Sequence, residues 1–136
     1  MVKSGRVPAF FVLLSVFFIN HGCMDKRGSD QPELGQVQGT VTLDGKPFAG
    51  AVIVFTPELG RQSTGIIDEN GKYELEYLHH SKGAKLGQHT IGFAAPPEES
   101  KGAPKIPKKY LFGTDTGLEA NVKEGTNTFD FSLSTK

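Results

Sequence analysis

The sequence predicts an all-β fold, a β-sandwich of about seven short strands. Three observations carry that expectation. Gly 17 and Pro 8 among 136 residues, with no Trp, suit many turns and short strands rather than helices. Apolar and polar residues alternate at period two, most cleanly where Tyr73, Leu75 and Tyr77 interleave with Lys72, Glu74 and Glu76. Turn signals separate the alternating runs, and outside the N-terminal apolar segment no stretch holds a helical period for long.

The stretch 39–57 organises the rest. Val41 and Leu43 alternate with Thr40 and Thr42, and Ala51, Ile53 and Phe55 share one face after the turn. Asp44-Gly45 between them is a strong turn signal, and Pro47 removes a donor where a ladder must stop. Two arrangements fit: an opening hairpin, or two strands folded onto facing sheets.

The strands are expected over 36–43, 51–56, 63–68, 72–78, 88–94, 118–123 and 127–134. In the first, Val37, Gly39, Val41 and Leu43 face inward. Val52 and Val54 face away from Ile53 and Phe55, so the second strand is covered on both sides or sits centrally. Asn70-Gly71 suits a tight hairpin between the third and fourth strands, because Asn-Gly tolerates the left-handed backbone. The fifth strand lines up His89, Ile91 and Phe93. The sixth lines up Leu118, Ala120 and Val122, and the seventh Phe129, Phe131 and Leu133. The segment 95–117 is the one long irregular connection, broken by Pro96, Pro97, Pro104 and Pro107, with room for a single short helical turn.

Length allows one domain and not two sizeable cores. The whole chain is formally neutral. Lys3 and Arg6 are the only charged residues before Cys23, so the remainder carries 13 basic against 15 acidic residues. A slightly acidic domain argues against nucleic acid, which calls for a basic face.

Residues 1–22 read as a signal peptide. Lys3 and Arg6 form a positive start, and 7–19 is apolar apart from Pro8 and Ser15. At about 13 residues that run is short for a bilayer span and matches a signal core. Cys23, the single cysteine, follows Gly22 directly. This resembles the bacterial lipoprotein signal, in which the cysteine is diacylated and becomes the first mature residue. Gly22 fits that pattern, while Asn20 and His21 depart from it. The alternative is an uncleaved anchor with a buried cysteine. Residues 23–35 then form a lipidated, polar, flexible linker, and 36–136 the folded domain. The expected location is the cell envelope, exported and membrane-anchored, facing the periplasm or the cell surface.

Gly39-Thr-Val, Asp44-Gly-Lys-Pro, Gly50-Ala-Val-Ile-Val-Phe-Thr-Pro, Gly65-Ile-Ile-Asp68 and Gly71-Lys-Tyr-Glu-Leu follow one another in this chain. So do Gly83-Ala84, Gly87-Gln-His89, Ile106-Pro-Lys-Lys-Tyr110 and Val122-Lys-Glu-Gly125-Thr-Asn127, leading to Phe131 and Leu133. Together they resemble the carboxypeptidase regulatory-like, transthyretin-like domain, as carried by small bacterial lipoproteins. The resemblance covers about residues 36–133. It implies a seven-stranded, prealbumin-like (immunoglobulin-like) sandwich and accessory or structural work, with no substrate. The wider transthyretin-like family includes a hydrolase of a purine breakdown product with a Tyr-Arg-Gly-Ser ending. This chain ends Leu133-Ser-Thr-Lys136, so that activity does not carry over.

Candidate chemistry is sparse. His79 and His80 are neighbours and would point to opposite faces of a strand, which disfavours a shared metal ion. His89 lies in register with Ile91 and Phe93 and reads as a hydrogen-bonded histidine at the core edge. Asp68-Glu69-Asn70-Gly71 is too short for a calcium loop and reads as a turn. Gly-x-Ser-x-Gly and a phosphate-cradling glycine loop are both absent. The expectation is therefore a non-enzyme without cofactor or metal. Its partners would be the membrane, through the lipid on Cys23, and an envelope protein or polysaccharide. The best candidate binding loop is 95–117, with Lys101, Lys105, Lys108, Lys109 and Tyr110. The loop reads first as a solvated connection pinned across the sandwich by Tyr110 and Leu111, and the alternative function is carbohydrate or peptide binding through it.

Overall fold

A computed structural model describes residues 31–97 and 104–136. The expected signal peptide, Cys23 and Lys101 lie outside the described residues. Twelve short strands form two sheets, and no α-helix occurs among the described residues.

Sheet A is assembled around β1 (Leu34–Leu43). On one side β1 pairs antiparallel with β8 (Ala84–Lys85), β5 (Lys72–Glu74) and β2 (Lys46–Pro47) in succession. On the other it pairs parallel with β11 (Thr126–Thr128) and β12 (Phe131–Leu133). Sheet B runs in the order β10 (Glu119–Val122), β9 (Gly87–Ala94), β3 (Val52–Pro57), β4 (Ser63–Ile66), β6 (Glu76–Leu78), β7 (Ser81–Lys82). The first strand starts two residues before the expected boundary at 36, because Leu34 and Gly35 find backbone partners in β8.

Asp44 and Gly45 have φ of 51° and 82°, the paired left-handed geometry of a two-residue hairpin turn. They join β1 to the two-residue β2. The chain then leaves sheet A, and β3 forms in sheet B. Of the two arrangements compatible with the sequence, the facing-sheet one is realised.

The turn at 68–71 crosses between layers as well. Gly71 donates to the Asp68 carbonyl at 2.9 Å, and Asp68 Oδ1 accepts from the N–H groups of Asn70 and Lys72. It connects β4 in sheet B to β5 in sheet A, so it does not close the expected two-stranded hairpin. Alternation over 72–78 persists: Tyr73 and Leu75 are buried and Tyr77 half-buried. The hydrogen bonds, however, change sheet at Leu75, which donates to Val37 and accepts from Gly83. Period two dictates which way side chains face and leaves open which backbone is the neighbour, so one run turns a corner from β5 to β6. The last expected strand is likewise broken, into β11 and β12. Phe129 N–H bonds the Gln38 carbonyl, and then Asp130 Oδ1 takes the Thr40 N–H in place of a backbone carbonyl.

The inner faces meet in one core. Val37, Val41, Tyr73 and Leu133 come from sheet A, and Ile53, Phe55, Ile91, Phe93, Ala120 and Val122 from sheet B. Phe55, fully buried, is the hub. Its ring lies 6.3 Å from Tyr73, 6.1 Å from Phe129 and 6.4 Å from Phe131, so both sheets touch it. Side chains of this size contribute about 1.5–3 kcal/mol each when removed from water.

Gly39 makes the close approach possible. A Cβ there would overlap the Phe129 carbonyl and come within 2.9 Å of the Tyr73 hydroxyl. That hydroxyl uses the space to donate to Phe129 O at 2.6 Å. At the other end, the Asn127 side chain bridges the layers. Its Nδ2 donates to the carbonyls of Gln36 and Lys123, and its Oδ1 accepts the Lys123 N–H.

Candidate functional site

The expected binding loop is tied down at its centre. Pro107 precedes a 3-10 turn at Lys108–Tyr110, consistent with the single short helical turn the sequence allows. Lys109 Nζ donates to the Lys136 carbonyl at 2.9 Å and lies 5.0 Å from the centroid of the Tyr110 ring. The Tyr110 hydroxyl accepts the Ser134 N–H at 3.2 Å. Leu111 then bridges to Phe93, and Phe112 N–H bonds the Phe93 carbonyl at 2.7 Å, extending sheet B where β10 has ended. Lys109 and Tyr110 are thus engaged with the C-terminal residues that follow β12, while Lys105, Lys108 and Lys109 are all exposed.

The histidines do not gather. His79 and His80 are exposed on the β6–β7 turn, and His89 is 1% exposed in the core. His89 Nε2 lies 2.7 Å from the Lys85 carbonyl, so Nε2 carries the hydrogen and ties β9 to β8 of the opposite sheet. This is deeper than the core edge the sequence suggested. Burial holds its pKa below the ordinary histidine value, against the opposing pull of the Lys85 carbonyl. Nδ1 and the Ser63 hydroxyl are buried without a hydrogen-bond partner among the described residues. Among the same residues, no three His, Cys, Asp or Glu side chains converge as metal ligands would.

Among the clefts formed by the described residues, two lie on opposite outer faces. The larger, about 640 Å³, crosses sheet A and is lined by residues including Thr40, Asp68, Lys72, Glu74 and Asp130. Its carboxylates already have work: Asp68 holds the 68–71 turn, Asp130 the Thr40 N–H, and Glu74 pairs with Lys82 at 3.1 Å. Asp44 is used similarly elsewhere. The Thr135 backbone N–H, and then its hydroxyl, hold the Asp44 carboxyl below the ordinary aspartate range. Tyr73, at the inner wall, has its phenol pushed above the usual tyrosine range by burial and by the Asp130 charge. These groups brace strand ends and turns.

The other, about 330 Å³, lies on the outer face of sheet B between Thr56, Thr90, Gly92, Phe112 and Thr114. Phe112 stands out in the sequence as an aromatic in the irregular segment. Thr56 and Thr90 do not, because only the β3–β9 register sets them side by side.

Compared with known proteins, the chain matches no family model, and no curated protein shows significant similarity to it.

Proposed function

We propose that this protein is a lipid-anchored, non-catalytic β-sandwich module of the bacterial cell envelope, presenting its outer faces to an envelope protein or polysaccharide. The observation that carries the reading is the use made of polar side chains. Asp44, Asp68, Asp130, Asn127, Lys109 and His89 each bond backbone groups of another strand, a turn or a chain end, which is structural work. A prealbumin-like layout is part of the proposal. Taking β5 with β6 and β11 with β12 as single broken strands, and β2, β7 and β8 as accessory pairs, leaves seven principal runs. That count supports the resemblance to carboxypeptidase regulatory-like, transthyretin-like domains.

The anchor rests on the N-terminal sequence: a basic start, a short apolar run and Cys23. Mass spectrometry of the protein recovered from bacterial membranes tests it. The expected product begins at Cys23 and carries acyl chains, and Cys23→Ala releases the domain from the membrane fraction. An intact N-terminus with a free Cys23 thiol overturns the anchor.

A further inference from the structure

We propose that the outer face of sheet B carries a subsite for a neutral saccharide, seated on Thr56 and Thr90 and bounded by Phe112. Thr56 and Thr90 are direct partners in the β3–β9 ladder, so their side chains stand next to each other, with Cβ atoms roughly 5 Å apart. Phe55 and Ile91 beside them face the core, which puts both threonines on the outside. In the next row Val54 faces Gly92. Gly92 offers no side chain, and the backbone of Phe112 occupies that space: a Cβ on Gly92 would lie 2.8 Å from Phe112 Cα. The bond from Phe112 N–H to the Phe93 carbonyl fixes this approach. Phe112 therefore forms a step rising from the sheet beside the threonine row, and it remains 45% exposed. Thr114, anchored by its hydroxyl to the Leu111 carbonyl at 2.7 Å, closes the far side.

The lining decides the class of ligand. Among the described residues, no Lys, Arg, His, Asp or Glu side chain lines this groove. A phosphate or carboxylate would be desolvated there without compensation. What the groove offers is hydroxyls beside an aromatic ring whose negative face attracts polarised C–H groups; those of Thr90 and Thr114 donate to the Thr56 and Leu111 carbonyls and keep lone pairs that accept from a ligand. A sugar ring presents hydroxyls on its rim and C–H groups on its face, and it matches both. Glu119, opposite Thr90 on β10 and held by Gln88 at 3.2 Å, adds an acceptor at the rim. A proline-rich peptide fits less well, since its docking grooves are lined by several aromatics and this one has a single ring. The volume sits near the lower end of small-molecule pockets, roughly 300 Å³, so affinity should be weak, with Kd about 1 mM. The proposal rests on the envelope-module reading and gives it a ligand class.

The test is an amide-shift titration of the full chain in detergent micelles with cellohexaose, maltohexaose and chitohexaose, each to about 10 mM. At least one is expected to shift the amides of Thr56, Thr90, Gly92, Phe112 and Gly113 together. Phe112→Ala should weaken that binding about tenfold. Thr90→Val keeps the side-chain shape and removes the hydroxyl, so it should weaken binding several-fold with the melting temperature unchanged. The proposal is overturned if none of the three sugars moves those amides, if binding survives in both variants, or if a proline-rich peptide moves them and the sugars do not. Specific recovery of an envelope protein with no sugar response would remove this subsite and leave the module reading standing.

Discussion

In sheet B, β3 and β9 run antiparallel through six consecutive pairs, from Val52–Ala94 to Pro57–His89; in sheet A no partner of β1 pairs with it over more than three residues. A long ladder carries its own backbone bonds and needs only greasy residues on its inner face. A strand served by five short partners has gaps between them, and side chains fill those gaps: Asp130 at Thr40, Asn127 at Gln36 and Lys123, Tyr73 at Phe129. The contrast teaches that sheet B is held chiefly by burial and sheet A by burial plus individually placed polar bonds.

The most severe test of that contrast is Phe55→Ala. The ring touches both layers, so its loss should cost about 3–5 kcal/mol in urea unfolding and lower both sheets in one transition. Loss confined to sheet A would break the picture of a shared core. Gly39→Ala comes next. The added Cβ has no room beside Phe129 O, so about 1–3 kcal/mol should be lost. Hydrogen exchange should then quicken in β11 and β12 before it does in β3 and β9. Equal acceleration everywhere would show that sheet A is not separately braced.

Acid should probe the junction at His89. Its folded pKa lies below the ordinary 6.5, so on acidification the unfolded chain takes up a proton that the folded one refuses. Stability is therefore full above about pH 6.5 and declines as pH falls below it, by no more than about 1.4 kcal/mol per pH unit. Melting temperature against pH should show this decline, and His89→Leu should flatten it; an unchanged slope would assign it to other groups. The smallest change is Tyr73→Phe, which deletes one hydrogen bond and keeps the ring. A loss of about 1 kcal/mol is expected, read from the urea midpoint. No measurable loss would mean that Gly39 matters for packing alone.

Much of the fold was legible in the sequence. Val37, Val41, Ile53, Phe55, Tyr73, Leu75, Ile91, Phe93, Ala120, Val122 and Leu133 are buried on the faces the alternation assigns them, while Leu43, Tyr77, Leu118, Phe129 and Phe131, expected on the same faces, are half-buried at the ends and edges of the strands. Asp44-Gly45 was legible because its backbone requirement is local. Less legible were the breaks at Leu75 and at Phe129-Asp130, since a corner keeps the same alternation as a straight strand. In the loop 95–117, pinning by Tyr110 and Leu111 was readable from two apolar residues among lysines. The cleft at Thr56 and Thr90 was not readable, because its members lie 34 residues apart and meet only through register.

By itself the sequence determined the class: short alternating runs, separated by residues that tolerate tight turns, have no way to bury their apolar halves except in layered strands. Only the tertiary structure decided which run lies beside which, where a strand changes layer, and which polar side chains brace the joints. The reason is that facing is a local property of the backbone, whereas pairing depends on partners distant along the chain. Thr40 and Asp130, 90 residues apart, become neighbours only after the whole chain has folded.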